Sequence, residues 1–223
     1  MKFIRKNEEP ASFIVWKQQA SPEWQPSWDN FQNPQKLEVH RSILTEQGYI
    51  CCYCQQRITK EKSHIEHFQP RTHYAELTLS YSNFLASCPG YTEETEVSSP
   101  IVKRSQEFCG QKKGAWYDAM LTVSPLQPDC ETYFRYTGQG AILPTQDKVK
   151  ALAAETTIEK LALNHSRLNR SRKRAIEGIL QDIETFSKDE LSQLIEAYKR
   201  FDSDGNHVPF YGAVIYILEQ FRA

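Results

Sequence analysis

Residues 63–70 read SHIEHFQP, and this short stretch indicates the fold and the chemistry of the chain most directly. In an extended strand, successive side chains alternate between the two faces of the sheet. His64 and Glu66 are therefore predicted to share one face, with Ile65 and His67 on the other. An imidazole that titrates near neutral pH beside a carboxylate is suited to proton transfer and to metal binding.

The stretch does not match several established metal motifs. An HExxH zinc-protease motif is absent, and the inverted HxxEH motif would need a histidine where Ser63 stands. A C2H2 finger fits poorly, because only nine residues separate Cys54 from His64 and two separate His64 from His67. A nucleotide deaminase places its CxxC pair after the histidine, whereas the CxxC pair here precedes it.

Upstream of this stretch, Cys51 and Cys54 form a CxxC knuckle, which can present two thiolates to one tetrahedral zinc ion. Cys88 and Cys109 each precede a glycine-containing turn and are the candidates for the other two ligands. Structural zinc is favoured over buried free thiols, because a strand-poor segment has a small core and a bound ion supplies folding free energy. The remaining two cysteines are predicted to be packing residues: Cys52 and Cys130.

Composition bounds the class of protein. The 223 residues carry 27 basic and 28 acidic side chains, so the net charge of −1 argues against coating of nucleic acid by bulk electrostatics. With 11 Phe, 11 Tyr and 4 Trp the chain has ample apolar surface for a core, which argues against disorder. No apolar run approaches the ~20 residues that span a bilayer, and no secretory signal opens the chain. A cytoplasmic protein without a membrane partner is expected, in which cysteines bind metal rather than form disulfides.

The N-terminal half is predicted to hold few regular elements. Residues 1–34 contain three tryptophans among prolines and read as an irregular wrapping segment. Residues 35–47 are predicted to form a helix that stops at Gly48. Short apolar pieces alternate with polar turns in residues 49–115, which indicates small strands around one helix, and residues 82–86 are a plausible start of that helix.

The C-terminal part is predicted to be helical. From Lys148 onward, apolar residues recur at spacings of three and four. Ser187 resembles an N-cap with acidic residues in the following turn, and residues 211–221 read as a final apolar helix. The predicted class is α+β, with three parts: residues 1–48 as a wrapping segment and helix, 49–125 as the functional core, and 126–223 as a helical region.

The series Glu66-His67-x-x-Pro70 followed by Asn83 resembles the HNH, or ββα-metal, nuclease family, whose core often reads Asp-His-x-x-Pro and then Asn. The resemblance implies that Glu66 binds a catalytic Mg²⁺ or Mn²⁺, that His67 is the general base, and that Asn83, on a helix, completes or orients the metal site. His64 would be a second metal ligand or a phosphate contact. Glu66 departs from the commoner Asp by one methylene and keeps the charge.

A narrower resemblance extends over residues 1–180. The segments 51–54, 64–71, 81–85, 109–114 and 157–164 occur in the order found in PtuB-type HNH proteins of Septu and retron anti-phage systems. This resemblance implies a nuclease effector in a defence complex with a PtuA-like ABC-type ATPase. Retron versions also have a reverse transcriptase and its RNA–DNA, so these are implied partners, with nucleic acid as the substrate.

Several basic side chains are candidates for nucleic-acid contact. Three arginines between residues 167 and 174 would share one helix face and could bind phosphate, dock an acidic partner, or simply be solvated. The full set is Arg71, Lys112, Lys113, Arg167, Arg170 and Arg174.

Four alternatives remain open at the level of sequence. His67 could be merely a hydrogen-bonded core residue. The chain could be a noncatalytic zinc-binding adaptor that bridges partners. It could be a zinc hydrolase of another substrate that uses His64, Glu66 and His67 on one metal. The two histidines could instead complete a Cys/His zinc site with Cys51 and Cys54.

Overall fold

The computed structural model describes residues 1–90, 106–181 and 183–222. Across these ranges the chain is a mixed α+β protein with seven α-helices and two antiparallel sheets of two strands each, which confirms the predicted class. The helices are α1 (Ala11–Gln18), α2 (Gln35–Glu46), α3 (Cys109–Lys113), α4 (Ala151–Lys160), α5 (Ser166–Leu180), α6 (Lys188–Tyr198) and α7 (Tyr211–Arg222). The strands are β1 (His64–His67), β2 (Phe84–Ser87), β3 (Phe134–Tyr136) and β4 (Ile142–Pro144).

The first sheet contains the stretch that the sequence singled out. Strand β1 pairs antiparallel with β2, in a register that sets His64 opposite Ser87 and His67 opposite Phe84. His64 Nε2 lies 3.5 Å from Glu66 Oε2, so these two side chains share a face. The predicted strand and its alternation are therefore confirmed.

Strand β2 stands where the sequence predicted the start of a helix at residues 82–86, and that prediction is wrong. Tyr81–Asn83 form a single 3-10 turn, after which the chain is extended. All four residues of β2 are buried, and a short apolar run of this kind is compatible with a strand or a helix. Pairing decides between them, because β1 covers one edge and the Gln47 side chain exchanges two hydrogen bonds with the Ala86 backbone.

The N-terminal segment is more regular than predicted, because residues 1–34 contain α1. The Phe13 and Trp16 rings of this helix contact Phe31, with centroids 4.7 and 5.2 Å apart. Phe13 also lies 6.1 Å from the Phe84 ring of β2. Aromatic side chains bury large apolar areas, so the segment wraps the first sheet as the sequence suggested.

Helix α2 ends at a glycine, as predicted. Gly48 has φ +57°, and a Cβ atom there would lie 2.7 Å from the backbone nitrogen of His207. Both the left-handed conformation and the close approach of another chain segment favour glycine at this position. The end of α2 is thereby tied to the loop that precedes α7.

One hydrophobic cluster extends from Met1 to Leu168 and includes all six cysteines. It crosses the predicted boundaries after residues 48 and 125, so residues 49–125 share their core with the segments on both sides. A second cluster packs α6 and α7 together with Ile50.

The predicted C-terminal helices are confirmed. Ser187 caps α6 in a full capping box with Glu190, and α7 covers the predicted apolar stretch. The region is not entirely helical, however, because β3 and β4 form a hairpin before α4. None of the helices in the described ranges has the length and apolar character needed to cross a membrane.

Candidate functional site

Four buried cysteines meet in the core. The sulfur atoms of Cys51, Cys54, Cys88 and Cys109 all lie within 4.8 Å of one another. Tetrahedral zinc with bonds of ~2.3 Å separates its sulfur ligands by about 3.8 Å, and Cys54 Sγ lies 4.0 Å from Cys88 Sγ. The donor set and its spacing fit a metal such as zinc, with the ligands that the sequence predicted.

The surroundings of Cys51 favour a thiolate. The backbone N–H of Cys88 donates a hydrogen bond to Cys51 Sγ over 3.4 Å. Burial alone would raise the pKa of Cys51, but hydrogen bonds from neighbouring thiols lower this pKa well below its ordinary value. The thiolate is the form that binds metal, so the local chemistry matches the geometry.

The other two cysteines are buried thiols. Burial raises the pKa of Cys52 well above its ordinary value and raises the pKa of Cys130 to about 12. Neither belongs to the group of four sulfur atoms, which fits the prediction that they are packing residues.

Two of the alternative metal sites are not formed. Within the described ranges, the four cysteines are the only group of three or more His, Cys, Asp or Glu side chains close enough to hold one ion. In this part of the chain the structure therefore assembles neither the Cys/His zinc site nor the one-metal site of His64, Glu66 and His67, and it favours the four-cysteine set.

Two side chains close in sequence to the zinc-ligand candidates, Tyr53 and Lys113, contact Glu66. The Tyr53 hydroxyl donates a hydrogen bond to Glu66 Oε1 over 3.0 Å, and Lys113 Nζ lies 3.0 Å from the same oxygen. Burial alone would raise the pKa of Glu66, but the hydrogen bond with His64 and the charge of Lys113 lower it. Glu66 is thus an ionised carboxylate at neutral pH.

Gly110 packs directly beside the other oxygen of Glu66. A Cβ atom at position 110 would lie 2.7 Å from Glu66 Oε2 and 3.0 Å from His64 Nε2. These distances are too short for a side chain, so only glycine allows the carboxylate oxygen and the imidazole nitrogen to stand side by side against α3. Both are donor types that divalent cations accept in proteins.

The His67 imidazole has a defined tautomer. Its Nε2 lies 3.0 Å from the carbonyl oxygen of Thr78, and because a carbonyl only accepts, Nε2 carries the hydrogen and Nδ1 does not. The rings of Trp28 and Phe84 lie 4.4 and 5.1 Å from the imidazole, measured between centroids. Burial lowers the pKa of His67, which favours the neutral ring that can accept a proton.

The family resemblance implied that Asn83 lies on a helix. In the structure it lies in the 3-10 turn before β2. Its Oδ1 accepts a hydrogen bond from the Gln69 backbone nitrogen over 2.8 Å, and its Nδ2 donates to the Gln69 carbonyl over 2.9 Å. The side chain therefore fixes the loop that follows His67. Asn83 was expected either to complete the metal site or to orient it, and this geometry supports the orienting role.

An open cleft of about 190 Å³ adjoins these residues. Arg71 is exposed at the cleft, with its guanidinium carbon 5.5 Å from the centre of the Trp28 ring. The lining residues are Ile65, Glu66, His67, Pro70, Arg71, Thr72, Gly114 and Ala115. A phosphate group at this cleft would meet a carboxylate, an imidazole and a guanidinium.

The predicted nucleic-acid contacts divide into exposed and buried side chains. Lys112 is exposed on α3, and three arginines are exposed on α5: Arg167, Arg170 and Arg174. Lys113 is buried, with only 1% of its side chain exposed, and also donates a hydrogen bond to the His67 carbonyl over 3.1 Å. The prediction that Lys113 contacts nucleic acid is therefore wrong, because α3 turns this residue inward onto Glu66.

Sequence reasoning missed two contributors to the site. The one signal for Tyr53 in the sequence is its place between two zinc-ligand candidates. Trp28 is one of the three tryptophans of the wrapping segment, and nothing in the sequence links it to His67.

Comparisons with known proteins show two relatives. No protein-family model matches the chain. A protein of Vibrio cholerae serotype O1 biovar El Tor, whose name assigns it as the HNH endonuclease of retron Vc95, is 30% identical over 156 residues, or 68% of this chain and 69% of the relative. An Escherichia coli protein, assigned by name as the HNH endonuclease of retron Ec83, is 29% identical over 207 residues, or 79% of each chain.

Proposed function

Since the chain belongs to the family of retron HNH endonucleases, we propose that it is a divalent-metal-dependent nuclease that hydrolyses phosphodiester bonds in nucleic acid. The observation that carries this proposal is the His67 imidazole, with Nδ1 unprotonated, next along β1 to an ionised Glu66. In this assignment His67 is the general base, Glu66 is the main ligand of the catalytic cation, and Asn83 positions the loop between them and the substrate.

The proton transfer is assigned to His67 Nδ1. This nitrogen accepts a proton from water, whose oxygen forms a bond to phosphorus as the bond from phosphorus to the leaving oxygen breaks. The hydrogen bond from Nε2 to Thr78 stabilises the protonated ring as well as the neutral one. General-base catalysis of this kind contributes typically ~10²–10⁴-fold to a rate.

The cation site is assigned to Glu66 Oε2 with His64 Nε2 beside it. The 3.5 Å separation of these two atoms and the ionised state of Glu66 support this assignment. Bound Mg²⁺ or Mn²⁺ would stabilise the charge on the scissile phosphate and on the leaving oxygen. Tyr53 and Lys113 hold the opposite oxygen of Glu66, so Oε2 is the oxygen assigned to the cation.

Exposed cations would guide the nucleic-acid backbone. Arg71 lies at the cleft. Lys112 lies on α3, directly before Lys113, which forms an ion pair with Glu66. The arginines of α5 would extend this surface as phosphate contacts or as a docking face. Phosphate contacts carry no base information, so we expect binding that weakens steeply with salt.

We further propose a structural zinc ion on the four cysteines and a role in bacterial anti-phage defence. The effector would act in the cytoplasm beside a PtuA-like ABC-type ATPase, which the helical region 126–223 would bind. A retron reverse transcriptase and its RNA–DNA would be further members of the complex. The retron names of both relatives support this context.

The experiment is a cleavage assay with Mg²⁺ or Mn²⁺ on plasmid DNA and on total RNA. His67→Ala is compared with wild type and with His73→Ala, which alters an exposed histidine in the following loop. We expect His67→Ala to lose at least ~100-fold of the rate, while zinc content and the circular dichroism spectrum remain unchanged. His73→Ala should cleave like wild type.

Cleavage by wild type and not by His67→Ala would establish the nuclease and identify its polymer. Equal cleavage by both would contradict the assignment of the base. If the isolated chain cleaves neither polymer, the same assay on the co-purified complex decides. An inactive complex that falls apart only when Cys54 is changed would favour the noncatalytic zinc adaptor.

A further inference from the structure

We propose that Trp28 is a positioning residue that holds the His67 imidazole in its reactive orientation, which rests on the proposed role of His67. Trp28 belongs to the N-terminal segment and lies far from β1 in sequence. Its ring meets the imidazole with the two centroids 4.4 Å apart and the planes at 68°. The contact joins a residue that wraps the core to the residue that is proposed to move the proton.

The imidazole is held on two sides by aromatic rings. Phe84 contacts it from β2, with the centroids 5.1 Å apart and the planes at 88°. Trp28 and Phe84 also contact each other, at 5.8 Å and 66°. Edge-to-face contacts of this kind are directional. Together with the hydrogen bond from Nε2 to Thr78, they keep Nδ1 unprotonated and the ring in one orientation.

Trp28 also connects His67 to the cations of the cleft. Arg71 lies over the Trp28 ring, with Cζ 5.5 Å from its centre, and Lys36 Nζ lies 4.7 Å from the same centre. Cation–π attraction holds such groups at the ring. The tryptophan therefore sets the distance between the proposed base and the guanidinium that would contact phosphate.

A matched control is available in the same segment. Trp24 is half-buried like Trp28, and its ring packs edge-on against Trp16 with the centroids 5.6 Å apart. Trp24→Ala thus removes a comparable tryptophan from the wrapping segment without touching the contacts of His67. A purely structural role for these tryptophans predicts similar effects from the two substitutions.

Steady-state kinetics on the nucleic acid that wild type cleaves distinguish a positioning role of Trp28 from a purely structural one. We expect Trp28→Ala to lower kcat by about 30-fold, since a small misplacement of a catalytic group is costly, and to change KM much less. Trp28→Phe, which restores a ring edge, should recover most of kcat, and Trp24→Ala should stay within about threefold of wild type. Equal kcat values for Trp28→Ala and Trp24→Ala would overturn the proposal.

A second readout needs no activity. In ¹⁵N NMR spectra of the full chain, His67 should show the pure Nε2–H tautomer, and Trp28→Ala should convert it to a mixture of tautomers. Trp24→Ala should leave the His67 signals unchanged. An unaltered His67 tautomer in Trp28→Ala would overturn the proposal about Trp28, whether or not wild type cleaves nucleic acid. Absence of cleavage by wild type would instead contradict the proposed function. If Trp28→Ala does not fold, Trp28→Leu keeps the apolar volume without the ring and is scored in the same way.

Discussion

A single missing side chain shapes the proposed cation site. Gly110 lies between Cys109 and the helical turn that carries Lys113, and it faces Glu66 and His64. Its backbone nitrogen also donates a hydrogen bond to Ser87 Oγ over 3.3 Å, so the position is fixed against β2. The close approach of α3 to Glu66 and His64 therefore requires glycine at this position.

We expect Gly110→Ala to lower divalent-cation binding and cleavage by at least ~10-fold, because its Cβ atom would come within 3.0 Å of both proposed ligand atoms. Titration with Mn²⁺, followed by electron paramagnetic resonance, measures the binding directly. The control is Gly178→Ala on α5, where a Cβ atom meets nothing within 4 Å. That substitution should stabilise the helix by up to about 1 kcal/mol and leave cation binding unchanged. Wild-type cation affinity in Gly110→Ala would contradict this assignment.

The residues of the site differ in how visible they are in the sequence. Glu66, His67 and the cysteines could be recognised because metal binding and proton transfer require particular residue types at short spacings. The burial of Lys113 could not be predicted, because a lysine on a short helix is usually exposed. Its contact with Glu66 depends on how α3 packs against β1, which no local pattern specifies.

At the scale of elements, α3 depends on the cysteine cluster. It has five residues, and Cys109 at its start has φ +55°, an unfavourable conformation for a non-glycine residue. An isolated helix of this length is not stable in water. Bonds from Cys109 to a metal would fix the start of α3 and thereby hold Lys113 on Glu66.

Cys88→Ser should therefore abolish stoichiometric zinc binding and lower the free energy of unfolding by several kcal/mol, since metal binding at structural sites adds directly to folding. Cys130→Ser is the control, because Cys130 is equally buried but lies outside the cluster. It should retain one zinc ion per chain. Atomic absorption and thermal melting measure the two quantities, and a full complement of zinc in Cys88→Ser would show that another residue supplies the ligand.

Sequence patterns predict some of these elements and not others. Helices α5 and α6 were predictable, because each repeats its apolar spacing over at least ten residues and α6 has a capping box. Strand β2 was not, because its three apolar residues and one serine are too few to show a period. Its identity comes from pairing with β1 and from Gln47, both of which are tertiary contacts.

At the scale of the whole molecule, two histidines link stability to pH, one buried and one half-buried. His40 lies on α2, and its Nε2 is hydrogen-bonded to Ser63 Oγ over 2.9 Å. The His207 ring stacks on the Tyr211 ring, with the centroids 4.3 Å apart. Burial lowers the pKa of each to about 4. The unfolded chain therefore takes up protons first as the pH falls, which favours unfolding.

We expect the melting temperature to fall as the pH is lowered from about 6.5, the ordinary value for histidine, to about 4, where both side chains protonate in the folded state as well. Calorimetry of wild type beside His40→Gln, which keeps a hydrogen-bonding group near Ser63, measures the contribution of one site. The variant should lose less stability over this range, and His73→Gln should behave like wild type. A melting temperature that stays constant down to pH 4 would contradict the expectation.

The ion pair between Lys113 and Glu66 also bears on how nucleic acid and cation would bind together. Because the lysine offsets the charge of Glu66, which is the one carboxylate among the described residues that line the cleft, the free protein attracts a divalent cation less strongly. The phosphate of a bound substrate would restore a negative charge at this place. Each ligand would then raise the affinity of the other by the same factor, as thermodynamic reciprocity requires. Occupancy of the site by Mn²⁺ should therefore rise when nucleic acid is added, and a strand should bind more tightly once the cation is present.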